Sequence, residues 1–195
     1  MKARILRSVA GLGLLCAAVS AHADWQLDAG ASSLYYVTSK ASAVSEVNSF
    51  ATLAGTIDAQ GKATLGIDLA SVQTNIEIRD QRMREIVFQT AQFPQAAVSV
   101  QVDVAALAAL AGGSSTVSSH EASIDLHGMV QTIMVDLRIT KLDADSVQVQ
   151  NARPLIVAAG SFGLAEGVEQ LREIAGLPAI NPNIVVDFTL VYHEE

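Results

Sequence analysis

The chain has a single cysteine, Cys16, among 195 residues, and it lies in an apolar stretch near the N-terminus. An internal disulfide is therefore excluded, and the fold must be held by burial alone. Aromatic residues are scarce, at 5%, so any internal wall must be mostly aliphatic. The apolar run VAGLGLLCAAV (residues 9–19) is well short of the roughly 18–20 residues needed to cross a bilayer, which excludes a membrane span there. Basic residues are also few: 12 Lys and Arg stand against 20 Asp and Glu.

What is present begins with an export signal. Lys2, Arg4 and Arg7 form a basic region, residues 9–19 an apolar one, and Ala21-His22-Ala23 a small-x-small cleavage site. The pattern predicts a cleaved Sec-type signal peptide over residues 1–23, a mature start at Asp24 and a periplasmic address. A lipoprotein signal needs a small residue before its cysteine, and Leu15 is not one. Cleavage removes three bases, no acids and the only cysteine. The remaining 9 bases against 20 acids give a net charge of −11. That balance argues against nucleic acid or an anionic membrane surface as a partner. The remaining length is enough for one domain with one substantial core.

Alternation of apolar and polar residues dominates the rest. Strands are predicted at Leu34-Tyr35-Tyr36-Val37 and for a hairpin of residues 47–57 and 62–70 around Asp58-Ala59-Gln60-Gly61. The clearest alternation is Val98, Val100, Val102 and Val104. Ala122, Ile124 and Leu126 then lead through a turn at His127-Gly128 into Ile133, Val135, Leu137 and Ile139. Shorter strands follow at Val147 and Val149 and at Leu155-Ile156-Val157, and a last one carries Ile184, Val186, Phe188, Leu190 and Tyr192. Eight or nine such strands joined by short turns imply antiparallel pairing. A closed or nearly closed sheet is favoured because an open one leaves two edges exposed, with a two-sheet sandwich as the alternative. The Ala-rich stretch 104–113 breaks the pattern, and Gly112-Gly113-Ser114-Ser115 after it reads as a loop.

Two segments carry helical spacing. In TNIEIRDQRMREIVFQTAQFP (74–94), Met83, Ile86 and Val87 share one helix face, Thr74-x-x-Glu77 fits a capping box, and Phe93-Pro94 ends the segment. Its Arg79, Arg82 and Arg84 suggest either an anion or headgroup site, or a solvated helix with Arg82 and Glu85 paired. Residues 164–175 form the second, with Val168, Leu171, Ile174 and Ala175 on one side.

Nothing in the sequence signals catalysis. His120, His127 and His193 have no metal-ligand spacing, and His193 reads as part of a solvated tail. No serine occupies a nucleophile elbow. Asp143 and Asp145 lack a following glutamate and read as a turn. No enzyme activity, metal or cofactor is expected.

The motifs that remain resemble those of a family. IDLASVQT (67–74), IRDQRMRE (78–85), Phe88 and Phe93-Pro94 are similar to the signature of the YceI-like family of polyisoprenoid-binding, lipocalin-like periplasmic proteins. So are Trp25-x-Leu27-Asp28 with Ser33, the run from Phe50 through Gly55-x-Ile57, Leu126-His127-Gly128, and Phe162-Gly163. The resemblance implies that residues 24–195 form an all-β, eight-stranded antiparallel lipocalin-like barrel with one or two short covering helices. It further implies a long apolar ligand, a polyisoprenoid or isoprenoid-quinone-like lipid, inside that barrel. The residues that would then touch the lipid are Leu65, Ile67 and Leu69 on one strand, and Val98, Val100 and Val102 on the next. Ile124, Leu126, Val135 and Leu137 follow on the central pair, then Phe162, and finally Phe188 and Leu190. An apolar lipid is the expected partner, and a homodimer stays open. Departures from the pattern, Met129-Val130-Gln131 after the His-Gly turn and Ala158-Ala159-Gly160-Ser161 before Phe162, motivate an alternative. This is a structural or stress-response interaction protein on the same scaffold, with a filled interior and an apolar patch outside.

Overall fold

The structure is a computed structural model describing residues 25–41 and 44–194. The predicted signal peptide, its Cys16 and the start at Asp24 lie outside the described residues.

Among the described residues twelve strands, all paired antiparallel, combine into eight staves of a barrel. β1 (Trp25–Leu27) and β2 (Ser33–Lys40) form one bent stave, since both pair with β12 (Asn183–Glu194). On their other side β2 pairs with β3 (Val44–Phe50) and β1 with β4 (Leu53–Ile57), which make the second stave. The third joins β5 (Lys62–Asp68) to β6 (Val72–Gln73). β7 (Gln95–Gln101), β8 (Ser115–Leu126) and β9 (Met129–Lys141) follow singly. β10 (Ser146–Asn151) and β11 (Leu155–Ala158) both lie along β12, which closes the ring. Each stave neighbours the next in sequence, so this is an up-and-down barrel without a free edge on its closed face.

Short polar side chains make the bends and turns. Asp28 Oδ1 accepts from the backbone N–H of Gly30 and Ala31 between β1 and β2. Asp68 accepts from Ala70 N at 2.9 Å where β5 bends through a 3-10 turn (Leu69–Ser71) into β6. Asp58 accepts from Gln60 N and Lys62 N in the β4–β5 hairpin, where Gly61 has φ +82°. The predicted turn at His127-Gly128 joins β8 to β9 with φ 56° and 73°, the left-handed pair of a two-residue hairpin.

Three expectations are corrected. The predicted strand 47–57 is two strands with a bend at 51–52, because β3 must follow β2 while β4 follows β1. Val104 does not extend the β7 row: Asp103 caps Ala106 N at 3.0 Å and starts α1 (Val104–Ala109). The Ala-rich stretch is thus in part a helix, and its Leu107 is buried against the barrel base. Helix α2 (Glu77–Arg82) runs into a π-helical turn (Met83–Val87), and α3 (Ala165–Ile174) packs on that turn. Among the described residues the barrel is thus accompanied by a few short helices, the one in the Ala-rich stretch added to the two anticipated.

The two ends of the barrel differ. At the base, Trp25, Ile57, Val147 and Leu107 are almost fully buried, and the Lys141 ammonium sits 4.7 Å above the Trp25 ring. At the top lie Lys40, the start of β3, α2 with its π-helical turn, and α3.

Candidate ligand cavity

Between base and top the barrel is hollow. A cavity of about 290 Å³ runs through it, near the lower end of the range for ligand sites. The strand rows anticipated from the sequence face it: Leu65, Ile67 and Leu69; Val98, Val100 and Val102; Ile124 and Leu126; Val135 and Leu137; Phe188 and Leu190. Several of these, such as Val98, Ile124 and Phe188, point inward yet are only half-buried, because the surface they keep is the wall of the cavity. Phe162 is the exception. It is 2% exposed in the core under a 3-10 turn (Ala159–Phe162), and it does not reach the cavity.

The interior is therefore not filled, as the alternative required, although an apolar row does exist outside. Ile156, Val185, Val37 and Val47 lie in register across four neighbouring strands. All but Val37 are exposed.

The covering segment 74–94 differs from expectation in its details. Thr74 does not cap α2; the N-cap is Ile76, with no side-chain bond. Thr74 instead donates both its N–H and its hydroxyl to Asp80 Oδ1, so the acid that accepts from it is Asp80 rather than Glu77 and its hydroxyl donates instead of accepting from the helix. Of the expected apolar face, Met83 and Val87 line the cavity and Ile86 does not. Glu85 accepts from Gln81 Nε2 at 2.9 Å rather than pairing with Arg82. Arg79 reaches the Glu46 carboxylate at 2.7 Å and the Thr74 carbonyl at 2.5 Å, so it ties the helix to β3. In α3, Val168 and Leu171 line the cavity together with Leu164 just before it, while Ile174 and Ala175 face outward.

Sequence reading overlooked the polar end of the cavity. The inward face of β2 changes along its length from Leu34 through Tyr36 and Thr38 to Lys40, and Asn48 on β3 lies directly opposite Tyr36. The signal was available, because Leu34, Tyr36, Thr38 and Lys40 share one parity. Lys40 and Arg79 both pair with Glu46. The bond from Lys40 holds the Glu46 carboxyl below its usual range, helped by the charges of Arg79 and Lys40. Burial raises the Tyr36 hydroxyl well above its ordinary value; Arg79 opposes that shift and Asp80 adds to it. Near the base, burial pushes Tyr192 up to about 12.

The histidines have structural partners. His120 bonds Ser118 Oγ at 2.7 Å and the Gln101 carbonyl at 3.0 Å. His127 packs against Phe93 in a tilted arrangement, with 4.3 Å between ring centroids. His193 is not part of a free tail: it pairs with Gln26 in the sheet and lies 3.5 Å from Asp28. Among the described residues no group of His, Cys, Asp and Glu is placed to hold a metal, and no helix is long and apolar enough to cross a membrane.

The family model for a YceI-like domain matches residues 25–192. The chain belongs to the YceI-like family. Among solved structures, this YceI-like protein is similar to a polyisoprenoid binding domain from Saccharophagus degradans implicated in plant cell wall breakdown. The two share 42% identity with a TM-score of 0.87, over 88% of this chain and 98% of that one. BcnA of Burkholderia cenocepacia is 18% identical with a TM-score of 0.65, over 85% of this chain and 98% of that one. A Campylobacter jejuni YceI protein is 14% identical with a TM-score of 0.54, over 76% and 84%. The last two likenesses show the fold alone. A comparison with curated protein sequences returned no match.

Proposed function

We propose that this YceI-like protein is a periplasmic, non-catalytic lipid-binding protein that holds a long isoprenoid chain inside its barrel. The observation that carries the reading is the hollow interior, lined along its length by aliphatic side chains from eight staves and three covering segments. Such a wall recognises a chain by removing it from water, at about 25 cal/mol per Å² of apolar area. The likeness to a polyisoprenoid binding domain supports the same ligand class. The strand rows from Leu65 to Leu190 are the proposed contacts, without Phe162. Export would follow cleavage after Ala23, which N-terminal sequencing of the protein from the periplasm checks.

Organic extraction and native mass spectrometry of freshly purified protein test the binding. The expected result is an apolar lipid at up to one per chain, released on unfolding. Recovery of no lipid, together with failure to take up an added polyprenol, would overturn the reading.

A further inference from the structure

The Leu-His-Gly turn and the Phe-Gly pair, far apart in the chain, meet outside the cavity. His127 and Gly128 take left-handed backbone angles, which place the imidazole at the tip of the β8–β9 hairpin. Met129 begins β9 and is 42% exposed. Gly163 ends the 3-10 turn with φ +70°. A Cβ built on Gly163 would lie 3.3 Å from Met129 Sδ and 3.5 Å from His127 Nδ1. Apart from its chain neighbours, nothing else among the described residues comes within 4 Å of that point. The bare glycine therefore leaves a cradle walled by one sulfur and one ring nitrogen. Neither His127 nor Met129 lines the lipid cavity.

The imidazole is held in place without spending a nitrogen. It packs against Phe93, while Nε2 is buried without a partner and no hydrogen bond engages Nδ1 among the described residues. Facing a thioether does not satisfy Nδ1, because that sulfur is only a weak acceptor. A metal ion uses both lone pairs at once. Met129 is also one of the departures from the family pattern, so this chain adds the sulfur beside a motif histidine.

The donors choose the metal. A thioether is soft and an imidazole suits copper, whereas Mg(II) and Ca(II) need oxygen ligands. Structural Zn(II) takes a tetrahedral set of thiolates, imidazoles or carboxylates, and no such group is assembled among the described residues. Both donors here are uncharged, so they compensate a monovalent ion more easily than a divalent one. Met129 is unbranched and flexible, so its sulfur can close on an ion at the usual metal–sulfur distance of about 2.3 Å.

We infer that His127 Nδ1 and Met129 Sδ form a binding site for a soft monovalent cation, Cu(I), with Gly163 keeping the space clear and the remaining face open to solvent. The inference goes beyond the proposed lipid binding and does not depend on it. Spacing among the histidines gave no sign of it, because the second donor is a methionine.

Anaerobic titration of the purified protein with Cu(I), kept soluble by acetonitrile, tests it by calorimetry and NMR. Binding should saturate at one ion per chain and shift the Met129 ε-methyl and His127 ring signals, and Ag(I) should do the same. Met129→Leu, which nearly conserves volume, should weaken binding about tenfold or more. So should His127→Asn, since asparagine tolerates the left-handed angles of the turn. Met134→Leu removes an exposed thioether on the opposite face of β9 and should leave binding unchanged. Absence of saturable Cu(I) binding overturns the inference, as does a Met129→Leu protein that binds as tightly as the wild type. Tighter binding of Zn(II) than of Cu(I) overturns it too.

Discussion

Arg79 is the residue on which the covering helix depends. It gives one N–H to Glu46 and another to the Thr74 carbonyl, at 21% side-chain exposure. Arg79→Ala is expected to lower the unfolding free energy by about 1–2 kcal/mol, measured by urea denaturation, and Arg79→Lys to recover only part, because an ammonium cannot make both bonds of the fork. Unchanged stability with lost lipid retention would make Arg79 a ligand contact alone. Glu46, its partner, brings a pH dependence. Its folded value is lowered from 4.5, so its contribution is complete above that value and is lost as the pH falls through the lower folded one. Glu46→Gln should therefore flatten the loss of stability of the wild type below about pH 4.5, as read from denaturant midpoints across the acid range.

At the scale of elements, the family motifs prove to be joints. Asp68 and Ser71 of IDLASVQT make the β5–β6 bend, with Ser71 Oγ also accepting from Thr52 N at 3.0 Å. Thr74 and Asp80 bond each other across the start of α2. Phe93 of the Phe-Pro pair packs against His127 of the Leu-His-Gly turn, where any side chain on Gly128 would run into the Phe93 ring. The motifs were easy to read because turns and staples demand particular residues, whereas an aliphatic wall accepts many. The contact between α3 and the π-helical turn is equally demanding. A Cβ on Gly167 would lie 2.7 Å from the Ile86 carbonyl oxygen and 2.8 Å from Val87 Cα. In an open helix Gly→Ala stabilises by about 1 kcal/mol. Here Gly167→Ala should destabilise by about 1–3 kcal/mol in thermal or urea unfolding, since backbone rather than a flexible side chain must give way.

The whole molecule stands or falls as a container on the size of its interior. Ala122 is 2% exposed and faces the cavity from β8. Ala122→Phe should preserve the far-ultraviolet circular dichroism spectrum while weakening uptake of a polyprenol by about tenfold or more, as the ring takes space the chain would use. Ligand loading of the wild type should raise its melting temperature by mass action, and the variant should lose that rise. Period-2 alternation determined the strand rows and their inward parity, which is why twelve of the thirteen residues expected to meet a ligand face the cavity. It misplaced Val104, because a row of valines looks alike whether it continues a strand or enters a helix behind Asp103. Phe162 entered through the family resemblance rather than through alternation, and its direction is set by a 3-10 turn that keeps it off the cavity wall. By itself, then, the sequence determined the class of fold, the polarity of each strand face and the joints between elements, all of which are local in the chain. Only the tertiary structure decided that the interior is hollow and that Gly163 comes to lie against His127 and Met129. Both depend on how far apart eight staves close and on which residues, distant in sequence, that closure brings together.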